Sequence, residues 1–246
     1  MDKLVKSALS KGAVFSVRIG VGVPYADVTQ SVEYFLGKEE VAGSIPVIST
    51  TYKYLVKHYR KLQLDFNPFD GLPSHYYEPE LHAKLNVTAW NKWIEPNDLN
   101  DRTLAWFQEN NIKPHSCMFF SYLPGASGII HSDGYNAMDL DNRPFSAVNF
   151  YSGGAGVLQW FRVKENAKLL YGNTDVATSA YIKYSISDVE SAEVYSGTGP
   201  ILVDTDTPHR GVNFSTQMRY SITLRWRPTL SFNKSLEKFS KYLTDK

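Results

Sequence analysis

Apolar residues in the second half of the chain fall in short runs of four to eight, each closed by turn-forming residues. This pattern predicts strands over 116–123, 128–133, 145–151, 157–163, 181–186, 192–195, 200–205, 211–214 and 220–226. Turn chemistry separates them: Pro124-Gly125-Ala126-Ser127-Gly128 follows the first, and Gly153-Gly154 follows the third. So many short strands at regular spacing predict an antiparallel sandwich or barrel.

Ahead of residue 115 the pattern changes. Over 52–59 apolar groups recur at spacings of three and four, which predicts a helix. Asp101 reads as the N-cap of a second helix through Leu104 and Phe107, stopping near Asn110 and Asn111. The stretch 67–73, with two prolines and a glycine, reads as a loop, and 235–243 as a closing helix. The expected layout is one domain: a helical support region over 1–115, a β core over 116–228 and a C-terminal helix within 229–246. Helices first and strands after give a mainly β fold, a double-stranded β-helix or cupin-like jelly roll. The helices would brace one sheet and leave the opposite mouth open.

Composition narrows the class. A chain of 246 residues with 43% hydrophobic content can bury a substantial core, and 14% aromatic residues suit both a packed barrel and a binding cleft. A net charge of +1 gives no overall attraction to phosphate backbones or acidic membranes. Cys117, the single cysteine, has no partner for an internal disulfide and fits a reducing, cytoplasmic setting. No apolar run approaches the roughly 18 residues of a membrane span. Residues 1–17 carry Lys3, Lys6 and Lys11 without the continuous apolar centre of a secretory signal.

Candidate chemistry gathers at His131-Ser132-Asp133. On an extended strand, residues two apart share a face, so His131 and Asp133 point the same way. His209, just past Pro208, would join them from a distant strand. Two imidazoles and one carboxylate can hold one face of an octahedral Fe(II) ion and leave the opposite positions open. Ten residues on, Arg219 opens the next strand, where a buried guanidinium could meet an anionic co-substrate. Ser221 shares its face and can donate a hydrogen bond; Arg225 and Arg227 share its parity. The other histidines are assigned to surface or packed positions: His58 to a helix face, His75 and His82 to the flanks of a loop, and His115 just before the first core strand. Tyr135, Asn136, Asn149 and Trp160 are candidates to line the cleft, and 162–179 is a candidate loop over its mouth.

Over 116–228 this order of H-x-D, distal histidine and R-x-S resembles the 2-oxoglutarate/Fe(II)-dependent oxygenase superfamily. The resemblance implies His131, Asp133 and His209 as iron ligands and Arg219, with Ser221, as co-substrate anchors. It also implies Fe(II), 2-oxoglutarate and O2 as cofactor and co-substrates, with ascorbate as a supporting reductant. Such enzymes release succinate and CO2, here with hydroxylation of a small molecule, an amino acid or a peptide side chain. Halogenating relatives replace the carboxylate ligand with a small residue, so Asp133 argues for hydroxylation.

Two branches stay open. The segment from Gly199 to His209, with Arg219 after it, resembles the aspartyl/asparaginyl β-hydroxylase-like group, although some members lack the carboxylate that Asp133 supplies. Tyr122-Leu123-Pro124-Gly125, with Arg219 and Arg225, resembles the AlkB-type nucleic-acid demethylases and would add Tyr122 and Arg225 to the co-substrate site. Against that branch, Phe120 and Ser221 stand where asparagines are expected, and the distal His-to-Arg spacing is short. The expected partner is therefore a small molecule or peptide, with a nucleic acid as the alternative and no membrane. A non-catalytic cupin-like metal module is the third reading.

Overall fold

The computed structural model describes residues 57–133, 145–173 and 180–244. The first half supplies β1 (Tyr59–Lys61), α1 (Glu80–Leu85), β2 (Ala89–Trp93), α2 (Asp101–Glu109), β3 (Lys113–Pro114) and β4 (Met118–Tyr122). There follow β5 (Ile130–Ser132), β6 (Ser146–Gly153), β7 (Gly156–Val163), β8 (Leu170–Asn173) and β9 (Ala180–Tyr184). The chain ends with β10 (Val189–Tyr195), β11 (Ile201–Asp204), β12 (His209–Asn213), β13 (Arg219–Leu224), β14 (Trp226–Arg227) and α3 (Phe232–Lys238).

Two six-stranded sheets face each other, as the strand pattern predicts for a jelly roll. The major sheet runs β1-β11-β6-β13-β4-β2 and the minor sheet β10-β7-β12-β5-β9-β8, while β14 and β3 form a separate pair. The recorded strand pairings are antiparallel, so each strand turns alternate side chains to opposite faces. On the major sheet, Phe119, Val148, Phe150, Ile222 and Leu224 face outward onto the helices. Ala147, Tyr151, Ile201 and Val203 face inward and meet Leu158 and Trp160 of the minor sheet. Burying both faces of the major sheet makes it the rigid wall against which the site is built.

The helices brace that wall through aromatic rings. Trp106 of α2 is fully buried, stacks on Phe239 at 5.2 Å between ring centroids and meets Phe66 at 5.7 Å. Trp106→Ala is expected to destabilise the protein by about 3–5 kcal/mol through lost transfer energy and a residual cavity. Denaturant titration of the two proteins would measure this, and a loss under 1 kcal/mol would contradict it.

Several expectations need correction. Most of the helix predicted over 52–59 lies outside the described residues, but its end does not: Tyr59 begins β1. The region before residue 115 is also not purely helical, because β1 and β2 extend the major sheet at its two edges. Both strands are short, and their pairing with β11 and β4 outweighs a weak local signal. The N-cap of α2 is Asn100 rather than Asp101. Asn100 is extended, and its side chain accepts a hydrogen bond from the Thr103 amide at 2.8 Å. Asp101 is instead the first helical residue, where its charge complements the helix dipole. The closing helix starts earlier than expected, at Phe232, and a 3-10 turn over Ser240–Tyr242 follows it.

His58 lies on no helix face; it precedes β1, with Nδ1 3.4 Å from Asp204 Oδ2. His82 sits in α1 and is buried, its ring nitrogens 3.2 Å from the Val87 carbonyl and 2.9 Å from Ser121 Oγ. Burial keeps its imidazole below the ordinary histidine value of 6.5, with the Val87 carbonyl opposing in part. The unfolded chain therefore takes up a proton near pH 6.5 that the folded chain refuses. Stability is expected to fall as the pH drops below that value, and urea midpoints at pH 7.5 and 5.5 should separate less in His82→Gln than in the parent.

Candidate metal centre

β5 and β12 meet at one residue pair: His131 lies directly opposite His209. Opposed residues share a face, and the two imidazole centroids stand 4.6 Å apart. A tight turn delivers His209 to that place. Asp204 accepts a hydrogen bond from the Asp206 amide at 3.0 Å and another from Thr207 Oγ1 at 2.7 Å. The same turn anchors the other half of the site, because the Asp133 amide donates to the Thr205 carbonyl at 2.9 Å. Two segments remote in sequence are thus joined by backbone before any ligand binds.

The ring orientations follow from their partners. His131 Nδ1 faces the Ile129 carbonyl at 3.0 Å, and His209 Nδ1 faces the Thr207 carbonyl at 2.9 Å. A carbonyl only accepts, so each Nδ1 carries a proton, and in the neutral imidazole the Nε2 lone pair is then the one available to a metal. His131 Nε2 lies 3.3 Å from Asp133 Oδ1. One ligand atom from each of His131, Asp133 and His209 falls within 4.8 Å of the others. Burial, reinforced by His131 and partly opposed by Asp133, pushes His209 down to about 4, which keeps it neutral near pH 7. Burial alone would raise the Asp133 carboxyl, but Arg225, His131 and His209 outweigh it and hold it well below the usual carboxylate range. Two imidazole nitrogens and one ionised carboxylate oxygen are the donor set that suits Fe(II).

The other residues singled out in the sequence divide into two groups. Arg219 and Tyr122 are register partners on β13 and β4. Arg219 is only 3% exposed; Nη1 donates to the Gly154 carbonyl at 3.3 Å, and the guanidinium lies 4.6 Å over the Tyr151 ring. Nη2 is buried without a hydrogen-bond partner, and among the described residues no carboxylate pairs with Arg219. Burial pushes the Tyr122 hydroxyl up to about 12 against the pull of Arg219, so it stays a donor. Ser221, next along the inner face of β13, is buried and opposite Tyr151. Asn149 donates to the Tyr151 hydroxyl at 3.3 Å, while its own Oδ1 is buried without a partner.

Arg225 takes a different place. Its Nη2 donates to Asp133 Oδ2, and Nη1 donates to the Ser116 carbonyl at 3.4 Å. It therefore braces a candidate ligand, while its Nε is buried without a hydrogen-bond partner. Trp160 is fully buried, with Nε1 donating to the Asp204 carbonyl at 2.9 Å, so it is packing and not cleft surface. Tyr135 and Asn136 lie outside the described residues. Of the segment 162–179, Leu170–Asn173 forms β8 and pairs with β9, and 174–179 lies outside the described residues.

The sequence reading missed Tyr151, the Asp133–Arg225 pair and two glycines. A Cβ on Gly156 would stand 2.6 Å from Arg219 Cδ and closer still to the Val212 carbonyl. One on Gly211 would stand 2.9 Å from the Tyr122 hydroxyl. No local pattern marks these positions, because each matters only through a neighbour on another strand. Among the described residues no helix is long and apolar enough to cross a membrane.

No protein-family profile and no curated protein matches this sequence. Among solved structures, the chain is similar to a Pseudomonas putida prolyl-4-hydroxylase, at 15% identity and a TM-score of 0.38 over 70% of this chain and 93% of that one. A Trichoplax adhaerens prolyl hydroxylase, solved with a hypoxia inducible factor peptide fragment, is 13% identical with a TM-score of 0.33, covering 91% of this chain and 89% of that one. A viral collagen prolyl hydroxylase from Paramecium Bursaria Chlorella virus-1, solved with 2-oxoglutarate, is 13% identical with a TM-score of 0.27, covering 69% and 96%.

Proposed function

We propose that this protein is an Fe(II)- and 2-oxoglutarate-dependent dioxygenase that hydroxylates a small molecule, an amino acid or a peptide side chain, releasing succinate and CO2. The observation that carries this reading is the convergence of His131 and His209, lone pairs outward, on ionised Asp133. These three residues would hold the ion, and a bound ferrous ion would supply dioxygen activation at its open positions. Arg219, with a buried N–H left over, would hold the far carboxylate of 2-oxoglutarate, and Tyr122 and Ser221 would donate to it. Arg225 fixes the Asp133 carboxylate and leaves one oxygen free to face the ion.

The test is anaerobic uptake of Fe(II), followed by succinate release in air with 2-oxoglutarate and ascorbate. A panel of amino acids, peptides and oligonucleotides then separates the branches. Stimulation by amino acids or peptides is expected; stimulation by oligonucleotides alone, weakening steeply with salt, would favour demethylation instead. Metal uptake without succinate release would leave the binding-module reading. Gly211→Ala, which crowds the Tyr122 hydroxyl, is expected to weaken 2-oxoglutarate binding about tenfold, the worth of one buried hydrogen bond. Its Fe(II) affinity should not change, as calorimetry of each ligand would reveal.

A further inference from the structure

A single row of side chains crosses the whole minor sheet and passes through both candidate imidazole ligands. Leu170 on β8 opposes Lys183 on β9, Lys183 opposes His131, His131 opposes His209, His209 opposes Trp160 on β7, and Trp160 opposes Glu193 on β10. Directly opposed residues share a face and lie about 5 Å apart at Cβ, so Lys183 stands immediately beside a metal ligand. The two sides of the imidazole pair differ sharply. Trp160 is fully buried between His209 and the half-buried Glu193, whereas on the other side Lys183 is exposed and Leu170 is 48% exposed. Tyr181, two residues from Lys183 on the same face, sets its ring edge-on to His131 at 6.1 Å.

A reactant reaching the centre along this face therefore crosses Leu170, Lys183 and Tyr181. Among the described residues no carboxylate pairs with Lys183. The electrostatics of the centre point the same way. A ferrous ion, Asp133, a 2-oxoglutarate dianion, Arg219 and Arg225 leave a net charge of about +1, and Lys183 raises it to about +2.

We infer that Lys183 holds an anionic group of the substrate, a carboxylate or a phosphate, beside the metal centre, with Leu170 covering the apolar part that adjoins it. Tyr181 walls the path between them and His131. This assignment rests on the dioxygenase reading above and narrows its substrate to an amphiphilic anion.

Calorimetry on the anaerobic Fe(II)–2-oxoglutarate complex of the full chain tests it, with hexanoate, hexyl phosphate and hexanamide as matched probes. At least one anion is expected to bind about tenfold more tightly than the amide, in a salt-sensitive way. The stronger of the two anions identifies the headgroup. Lys183→Met should remove that preference and Lys183→Arg should retain it, with circular dichroism verifying that both variants fold. Equal binding of the amide, no binding of any probe, or an unaltered preference in Lys183→Met overturns the assignment. If the parent protein takes up neither Fe(II) nor 2-oxoglutarate, the dioxygenase reading itself has failed. If it takes up both and shows no anion preference, only the role of Lys183 has.

Discussion

His209→Ala is expected to abolish high-affinity Fe(II) uptake while leaving the protein folded. Losing a hydrogen-bonded partner behind a ligand typically weakens a metal site 10–100-fold, so losing the ligand itself should lower affinity by at least ~100-fold. The fold should survive, because His209 is neutral and its ring contributes one hydrogen bond, to the Thr207 carbonyl. Asp133→Ala should lose the metal too, but with a second effect. It strands the Arg225 guanidinium, whose Nε already lacks a partner, and breaking such a largely buried pair costs about 3 kcal/mol or more. Anaerobic iron titration combined with denaturant unfolding separates the two variants. Normal iron uptake by His209→Ala would remove the metal centre from consideration.

Arg219→Met is expected to act in opposite directions on stability and on co-substrate binding. A buried guanidinium with no carboxylate partner among the described residues is a destabilising feature, and burial lowers its proton affinity. An apolar side chain of similar length should raise the melting temperature of the ligand-free protein by a few degrees, equivalent to about 1 kcal/mol. The same change removes the charge-assisted bonds to 2-oxoglutarate, about 1.5–3 kcal/mol, so affinity should fall roughly 10–150-fold. A residue serving only the fold would not behave this way; its loss would lower stability and leave 2-oxoglutarate affinity alone. Thermal melts with and without 2-oxoglutarate distinguish these outcomes.

Much of the β core was legible because period-two alternation and turn chemistry are local. The runs over 145–151 and 157–163 became β6 and β7 with small shifts at their ends. The H-x-D spacing was legible in part for the same reason; β5 stops at Ser132, and Asp133 is held beside His131 by its amide bond to the Thr205 carbonyl. By contrast β1 and β2 carry little local signal, and they form because the edges of the major sheet were there to pair with. The cap of α2 shows the limit at finer scale. Asn100 and Asp101 have equivalent capping chemistry, and only the backbone path decided that Asn100 would be extended and reach the Thr103 amide.

The partners of charged groups were the least predictable. Arg219, Ser221 and Arg225 share one strand parity, and sequence offered no way to divide them. The fold turned Arg219 toward Tyr122 and Tyr151 and sent Arg225 to Asp133. In the same way Lys183 carried no mark in the sequence, and the strand register alone set it beside His131.

By itself the sequence determined which side chains could ligate a metal and that His131 and Asp133 would lie close together, because two residues of separation is a local property. That His209 would stand opposite His131, that Arg225 would brace Asp133, and that one side of the imidazole pair would be sealed by Trp160 while the other stayed open were decided only in three dimensions. Each of these depends on which strands become neighbours, and that is fixed by packing the two sheets around a common core.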